Sequence, residues 1–245
     1  MITHVPCRHS RLLVLSAELT CAGNVQATRC KFSWNAPGSH CLCQSISDFD
    51  ATNQSYFGES RLYILSTDGR ADVAVTLEGD ANIVDVAWSP KGDDFVALGG
   101  HQPTMAYLFD KKGKPVCKIG SGAFNIVRWS QQGRFFLLAG FGNLPGDIQT
   151  FERDGNDITS MGALRSECSV MVEWSPCARY FLTASVAPRM RVDNRITIFT
   201  YFGEKVANVP YDELRAAHWK PLPAVRCSPV ACRLPASSPC WAVAD

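Results

Sequence analysis

Five tryptophans recur along the chain at the end of similar segments. They are Trp34, Trp88, Trp129, Trp174 and Trp219, separated by 54, 41, 45 and 45 residues. Each has an apolar residue two positions before it, and turn-forming residues follow, as in VAWSPKGDD and VRWSQQGRF. The pattern predicts a strand that ends at the tryptophan and enters a tight turn, repeated five times. A period of this length is typical of repeat architectures.

The segments between the tryptophans predict the rest of each repeat. A second apolar segment follows each of the first four turns, with the sequences CLCQSI, FVALGG, FFLLAG and YFLTAS, and a third and a weaker fourth segment come after it. Four short strands in about 40–45 residues are typical of a β-propeller blade. We therefore predict an all-β fold, namely an incomplete β-propeller of four-stranded antiparallel blades, with about four blades plus partial ones. Helix should make up less than about a tenth of the chain. The five tryptophans are predicted to fill the spaces between blades.

The repeat also divides the chain. The blades are assigned to residues 21–223, and the pattern leaves the structure of the N-terminal segment, residues 1–20, undetermined. Residues 224–245 are rich in proline and cysteine and show no alternation, which predicts a disordered tail. Because no segment would close the ring, we interpret the chain as a fragment or isoform of a larger propeller.

Composition excludes several classes of protein. A hydrophobic content of 46% with 19% charged residues is typical of a soluble globular chain. The formal net charge of +1 excludes nucleic-acid binding by bulk electrostatics, so any such contact must be local. Apolar runs are too short for a membrane span or a signal peptide. These features predict a cytoplasmic protein with no membrane partner.

Catalytic and metal-binding patterns are absent from the sequence. The eleven cysteines contain no C-x-x-C pair, and the five histidines form neither H-x-x-H nor H-E-x-x-H. No G-x-S-x-G nucleophile motif occurs. We therefore predict that the chain is not an enzyme, that it has no cofactor or metal site, and that its cysteines are reduced thiols which pack as small apolar residues.

The loops that join the second and third strands of each blade form the predicted binding surface. They span residues 47–60, 99–104, 141–147 and 186–195 and should all emerge on one face of the propeller. Insertions concentrated on one face of a repeat array usually mark its binding surface. Arginine and exposed aromatic side chains suit phosphate groups and unstacked bases. The candidates for RNA or ribosome contact are Arg189, Arg191, Arg195, Tyr56, Phe57, Phe141 and Asn143.

Two alternatives to this surface remain open. The same loops contain carboxylates, namely Asp48, Asp50, Glu59, Asp147 and Asp193, so the loops could simply pack on one another. The turn FDKKGKP places a secondary basic patch on the opposite face. It consists of Lys111, Lys112 and Lys114.

Several segments resemble the propeller of the eukaryotic translation initiation factor 2A family. They are NVQATRCKFSWN, SYFGESRLYIL, RFFLLAGFGNLPGDIQTFE and VEWSPCARYFLTASVAPRMRVDNRITIFTYFGE. The resemblance covers residues 20–222 and matches the later blades of that WD-repeat-like propeller. Its most specific parts are AGFGNL, which includes Phe141 to Leu144, and APRMRVDN, which spans Ala187 to Asn194.

The resemblance implies a function that composition and spacing do not. It implies a factor that binds the small (40S) ribosomal subunit and takes part in placing initiator methionyl-tRNA, with mRNA and other initiation factors as further partners. The alternative is a propeller scaffold that mediates protein–protein interaction without direct RNA contact. Asn143 and Asn194 have an alternative structural role as well, because asparagine holds tight loops by bonds from its side chain to the backbone.

Overall fold

The chain folds into four four-stranded antiparallel sheets and one two-stranded sheet. The computed structural model describes residues 28–47, 59–69, 73–187, 189, 193–220 and 241–244. Sheet 1 contains β1 (Arg29–Trp34), β2 (His40–Ile46), β3 (Ser60–Ser66) and β4 (Val73–Val75). Sheet 2 contains β5 (Ile83–Trp88), β6 (Asp94–Gly99), β7 (Thr104–Asp110) and β8 (Pro115–Gly122).

The remaining sheets repeat this order. Sheet 3 contains β9 (Ile126–Trp129), β10 (Phe135–Ala139), β11 (Asp147–Asp154) and β12 (Asp157–Arg165). Sheet 4 contains β13 (Met171–Trp174), β14 (Tyr180–Ser185), β15 (Arg195–Thr200) and β16 (Lys205–Pro210). Sheet 5 pairs β17 (Ala216–Trp219) with β18 (Trp241–Ala244). Among the described residues, helix is limited to one 3-10 turn at Glu78–Asp80, which confirms the prediction of low helix content.

The sheets are arranged as blades of a propeller. Strands follow one another in chain order within each four-stranded sheet. The first strands of successive sheets contact each other, β1 with β5, β5 with β9, β9 with β13 and β13 with β17. Each blade therefore presents its first strand to the centre, and the described sheets form an open row of four blades and a partial one. The predicted fold class is confirmed.

Each pair of neighbouring blades encloses its own apolar core. In the cores between four-stranded sheets, the side chains come mainly from the second and third strands of both sheets, together with the tryptophan that ends the first strand. In the core between sheets 4 and 5, sheet 4 contributes its second and third strands and sheet 5 contributes its first strand. Because a blade between two others is covered on both faces, its second strand is buried throughout, as β6 and β10 are. The alternation expected for half-buried strands is therefore wrong for these strands, whose continuous apolar runs suit burial on both faces.

Four of the tryptophans make the same contact between blades. The indole Nε1 of Trp88 donates a hydrogen bond to the backbone carbonyl of Ser33, at 2.8 Å. Ser33 comes directly before Trp34, the tryptophan of the preceding repeat. The indole Nε1 atoms of the other three tryptophans donate to the equivalent backbone carbonyls: Trp129 to Ala87 at 3.2 Å, Trp174 to Arg128 at 3.0 Å and Trp219 to Glu173 at 3.0 Å. The side chains of Trp88, Trp174 and Trp219 are at most 9% exposed. These tryptophans therefore join successive first strands as well as filling space.

Trp34 differs from the other four repeat tryptophans. It is 43% exposed, and Phe32 on the same strand is 57% exposed. Trp34 ends the first strand of the first described sheet, so no described blade precedes it. The prediction of a buried blade tryptophan is confirmed for Trp88, Trp174 and Trp219 and is wrong for Trp34.

The predicted ends of the chain are described only in part. Residues 1–20 lie outside the described residues. Of the tail predicted for 224–245, the structure describes only the backbone of Trp241–Ala244, which pairs antiparallel with β17.

Cysteine burial varies across the described part of the chain. Cys41 and Cys43 are buried on one face of sheet 1, as their spacing predicts, whereas Cys30 and Cys168 are exposed. Burial, with a smaller contribution from the neighbouring Cys30 thiol, raises the pKa of the Cys43 thiol to about 12.

The reactivity of the thiols should follow this difference in the folded protein. At pH 8 a thiol of pKa about 12 is a thiolate in roughly one molecule in ten thousand, and the thiolate is the nucleophile. We expect iodoacetamide to alkylate Cys168 while Cys43 stays unmodified until the protein is denatured, as peptide mass spectrometry would measure. Equal labelling of both residues in the native protein would contradict the burial of Cys43.

Candidate functional site

In sheets 2, 3 and 4, the described residues of the loops between second and third strands lie on one face of the propeller, together with the described connections between sheets. We call this the loop face. Asn125, in the connection from β8 to β9, bonds in both directions to Phe141, in the loop from β10 to β11. Its Nδ2 donates to the Phe141 carbonyl and its Oδ1 accepts the Phe141 N–H, both at 2.9 Å. The connection between sheets therefore holds the loop of the following blade in place.

A related arrangement holds the next blade. Asn194 is 2% exposed, and its Oδ1 accepts hydrogen bonds from the N–H groups of Ala187, at 3.2 Å, and Leu214, at 2.9 Å. The structural role predicted for Asn194 is confirmed. Asn143 does not have this role, because it is exposed and takes part in no hydrogen bond with a described residue.

Phe141 lies in the core instead of on the surface. Its side chain is 3% exposed and packs in the core between sheets 3 and 4, although the sequence predicts an exposed ring. The two bonds from Asn125 fix its backbone at the start of the loop, where the ring turns inward. A buried ring offers no face for stacking on a base. The expectation of an exposed aromatic at this position is therefore wrong.

The other predicted contact residues are only partly described. Tyr56, Phe57 and Arg191 lie outside the described residues. Arg195 begins β15 and is half-buried, and Arg189 lies in the loop before it and is exposed. Of the predicted contacts, the structure therefore brings Arg189 and Asn143 together on the loop face.

These two residues line an open cleft between sheets 3 and 4. Its volume is about 250 Å³. The lining residues are Asn125, Ile126, Phe141, Gly142, Asn143, Leu144, Val170 and Arg189. They include one cation and no carboxylate. We call this space the Arg189 cleft.

The guanidinium of Arg189 lies directly against Gly142. A Cβ atom at position 142 would lie 2.8 Å from Arg189 Nη2, and Gly142 has a φ of 81°. Any larger residue would therefore displace the guanidinium and strain the backbone. Glycine at this position lets the AGFGNL and APRMRVDN segments meet, and these two segments are the most specific part of the family resemblance.

Arg189 also differs from most described arginines of the loop face in having no partner among the described residues. Arg165 donates to Asp147 at 2.7 Å, which raises the pKa of its guanidinium, while Arg61 pairs with Glu59 and Arg215 with Glu213. Arg189 forms no ion pair or hydrogen bond with any residue that the structure describes, including Asp193. Its charge is thus available to an anionic ligand.

The predicted lysine patch lies on the opposite face, in the turn between β7 and β8. Lys111 Nζ donates to Asp93 at 2.9 Å, and this bond lowers the pKa of the Asp93 carboxyl. The N–H groups of Lys112 and Lys114 donate to Asp110 Oδ1. The backbone of this turn is therefore fixed, and part of its charge is neutralised.

The sequence did not indicate Asn125, Ile126, Leu144 or Val170 as parts of a site. A usable signal is present for Asn125, because the tripeptide Asn-Ile-Val opens the first strand of both sheet 2 and sheet 3. Asn82, in the first of these tripeptides, accepts the N–H of Ser60 at 2.9 Å. The repeated tripeptide therefore marks an asparagine that ties loops together.

Within the described ranges, no group of three or more His, Cys, Asp or Glu side chains is placed to hold a metal ion. In the same part of the chain, no helix has the length and apolar character needed to cross a membrane.

Comparison with known proteins gives a consistent result. The sequence model of one family, described as eukaryotic translation initiation factor eIF2A, matches residues 25–217. Eukaryotic translation initiation factor 2A of Dictyostelium discoideum is 36% identical over 197 residues, which cover 80% of this chain and 32% of that protein. The chain therefore spans about a third of the length of this relative.

Solved structures agree with the fold. The crystal structure of a eukaryotic initiation factor is similar with a TM-score of 0.70 and 30% identity, over 82% of this chain and 47% of the other. The β-propeller domain of Myceliophthora thermophila Swd1 (Cps50) is similar with a TM-score of 0.50 and 12% identity, over 75% of this chain and 74% of that one. The second likeness concerns the propeller fold alone.

Proposed function

Because the chain belongs to the eukaryotic translation initiation factor 2A family, we propose that it acts in translation initiation by binding the small (40S) ribosomal subunit through its loop face. Its part in the process is to help place initiator methionyl-tRNA, with mRNA and other initiation factors as further partners. It does so in the cytoplasm as a binding protein and not as an enzyme.

The unpaired guanidinium of Arg189 is the observation that supports RNA contact. It is exposed in a cleft whose described lining residues include no carboxylate, and it has no partner among the residues that the structure describes. A protein with a net charge of +1 does not bind RNA by general attraction, so its RNA contacts depend on such local cations. Arginine suits this task because its planar guanidinium donates to two phosphate oxygens at once.

One observation favours the alternative of a protein-binding scaffold. Glu167, Asp193 and Asp212 are exposed around the same face, and they would suit a basic protein surface better than RNA. Ribosomal proteins and ribosomal RNA both lie on the small subunit, so both hypotheses allow subunit binding. They differ in which charge on the loop face supplies the affinity.

Co-sedimentation with purified 40S subunits across a salt series tests the proposal. We expect Arg189→Glu to weaken binding about tenfold, because it removes a charge-assisted hydrogen bond and adds repulsion. The slope of log affinity against log salt should flatten by about 0.7–0.9 if one phosphate contact is lost. The melting temperature should stay unchanged, because Arg189 has no described partner.

The opposite face supplies the matched control. Lys112 and Lys114 are exposed, and their side chains form no ion pair with a described residue. Reversing both charges should leave subunit binding unchanged. If the lysine reversal abolishes binding and Arg189→Glu does not, the wrong face has been chosen. If the wild-type chain does not sediment with subunits at low salt, the proposed function is wrong.

A further inference from the structure

We propose that the Arg189 cleft is a binding site for one phosphodiester group of an RNA strand. The ligands are the guanidinium of Arg189 and the consecutive backbone N–H groups of Gly142, Asn143 and Leu144. This inference deepens the proposed function and rests on it. It adds the chemical group that is recognised and the atoms that recognise it.

The backbone N–H groups at the tip of the loop have no acceptor among the described residues. None of the N–H groups of Gly142, Asn143 and Leu144 donates to a described residue, and all three residues line the cleft. Successive unpaired N–H groups in a turn form a concave site of positive potential that suits an anion. The side-chain amide of Asn143 is exposed beside them and is a further donor.

The rest of the loop is held in place before any ligand binds. Gly140 N–H donates to the Asp147 carbonyl at 2.8 Å, and Gly146 N–H donates to the Gly140 carbonyl at 2.9 Å, which closes the base of the loop. Asn125 fixes Phe141 by two bonds, and the Phe141 ring is buried. Little conformational entropy therefore needs to be lost when the tip binds an anion.

The Arg189 cleft differs in charge from a second cleft formed by described residues. That cleft, of about 260 Å³, lies on the opposite face and is lined by both arginines and carboxylates. There Arg134 pairs with Glu152 at 2.7 Å and Arg153 pairs with Asp94. An anion would have to displace those partners, whereas Arg189 has no partner among the described residues.

The apolar part of the Arg189 cleft favours a nucleotide strand over a free anion. Ile126, Leu144 and Val170 line it beside the donors. They offer a surface for the carbon atoms of the attached sugar. The cleft of about 250 Å³ has the room for this, since a water molecule takes only about 30 Å³ of liquid volume.

Amide NMR on the full 245-residue chain tests the site directly. The ¹⁵N-labelled wild-type protein is titrated with inorganic phosphate, with an octauridylate, and with the same octamer bearing uncharged methylphosphonate linkages. We expect the amide signals of Gly142, Asn143 and Leu144 and the Nε–H of Arg189 to shift with phosphate and more strongly with octauridylate. The uncharged octamer should not shift these signals. Equal shifts with the charged and uncharged octamers, or no shift with octauridylate, would overturn the proposal.

Titration with an octaglutamate peptide distinguishes an RNA ligand from an acidic protein ligand. If this peptide shifts the same amides at least as strongly as octauridylate, the site recognises carboxylates and the phosphodiester assignment is wrong. If it shifts them much less, the assignment stands.

Substitutions measure how much each group contributes to octauridylate binding. Arg189→Gln should weaken octauridylate binding about tenfold with an unchanged melting temperature, and Lys112→Gln should change neither quantity. Gly142→Ala should abolish the amide shifts, but its positive φ makes misfolding a competing cause. The wild-type titration does not depend on that variant. Unchanged octauridylate binding by Arg189→Gln would overturn the role of Arg189.

The two proposals fail in different ways. A chain that sediments with 40S subunits while octauridylate leaves the amides of residues 142–144 unshifted retains the proposed function and loses this site. A chain that binds octauridylate through these amides and does not sediment with subunits keeps the site and loses the proposed function.

Discussion

Trp174→Ala is expected to lower the free energy of unfolding by about 3–5 kcal/mol, which is typical of truncating a buried aromatic side chain. The indole is 4% exposed and lies in the core between sheets 3 and 4. It packs against Phe181 with ring centroids 5.3 Å apart, and its Nε1 donates to the Arg128 carbonyl at 3.0 Å. Removing it leaves both a cavity and a carbonyl without its donor. Urea denaturation followed by circular dichroism would measure the loss.

Trp34→Ala is the control for this substitution. The residue type and its place in the repeat are the same, yet Trp34 is 43% exposed and donates no hydrogen bond to a described residue. We expect Trp34→Ala to lower the free energy of unfolding by less than about 1 kcal/mol. Equal losses for the two variants would show that contact between blades is not the source of the effect. Trp174→Phe keeps much of the side-chain volume but removes the indole N–H. The loss of that hydrogen bond should lower the free energy of unfolding by about 1 kcal/mol.

Arg153→Met is expected to lower the free energy of unfolding by about 3–5 kcal/mol, because it leaves a buried carboxylate without its cation. Asp94 lies on sheet 2 and is 5% exposed, and its partner Arg153 lies on sheet 3. The second oxygen of that carboxylate, Oδ1, has no hydrogen-bond partner among the described residues, so Arg153 is its main compensation. The pair therefore links two blades through charges that are mostly buried, with the side chain of Arg153 16% exposed and that of Asp94 7% exposed.

A double-mutant cycle isolates this pair. Arg153→Met with Asp94→Leu should recover much of the stability lost in the single variant, since replacing both charges removes the unpaired group. The control is Arg134→Met, which breaks the pair with Glu152 where the arginine side chain is 64% exposed. That loss should stay below about 1 kcal/mol. If the double variant is no more stable than Arg153→Met alone, the unpaired charge of Asp94 is not the cause of the stability lost in Arg153→Met.

Much of the fold follows from local sequence. The tryptophan period and the four short apolar segments per repeat predict four blades and a partial one, and the structure has them at the expected places. Local patterns suffice here because each blade is a meander of neighbouring strands whose pairing follows chain order. The period alone does not show that the indole N–H of each tryptophan binds the carbonyl of the blade before it. That bond depends on how two repeats are rotated against each other.

The candidate site was predicted less completely. The sequence points to Arg189 and Asn143 through the loop positions and the family resemblance, and it also points to Phe141, which the structure buries. Whether an aromatic residue at the start of a loop turns inward depends on a partner 16 residues away, Asn125, that fixes its backbone. No local pattern around Phe141 contains that information.

The sequence by itself determined the repeat, the strand order within each blade and the face on which the loops emerge, because short apolar segments and turn residues act over a few positions and recur with the tryptophans. Only the tertiary structure decided which charges are neutralised. Arg153 and Arg165 pair with carboxylates on other strands, while Arg189 lies over Gly142 in a cleft whose described lining contains no carboxylate. The physical reason is that a charge is neutralised by groups close in space, and in this fold those groups come from different strands and different blades.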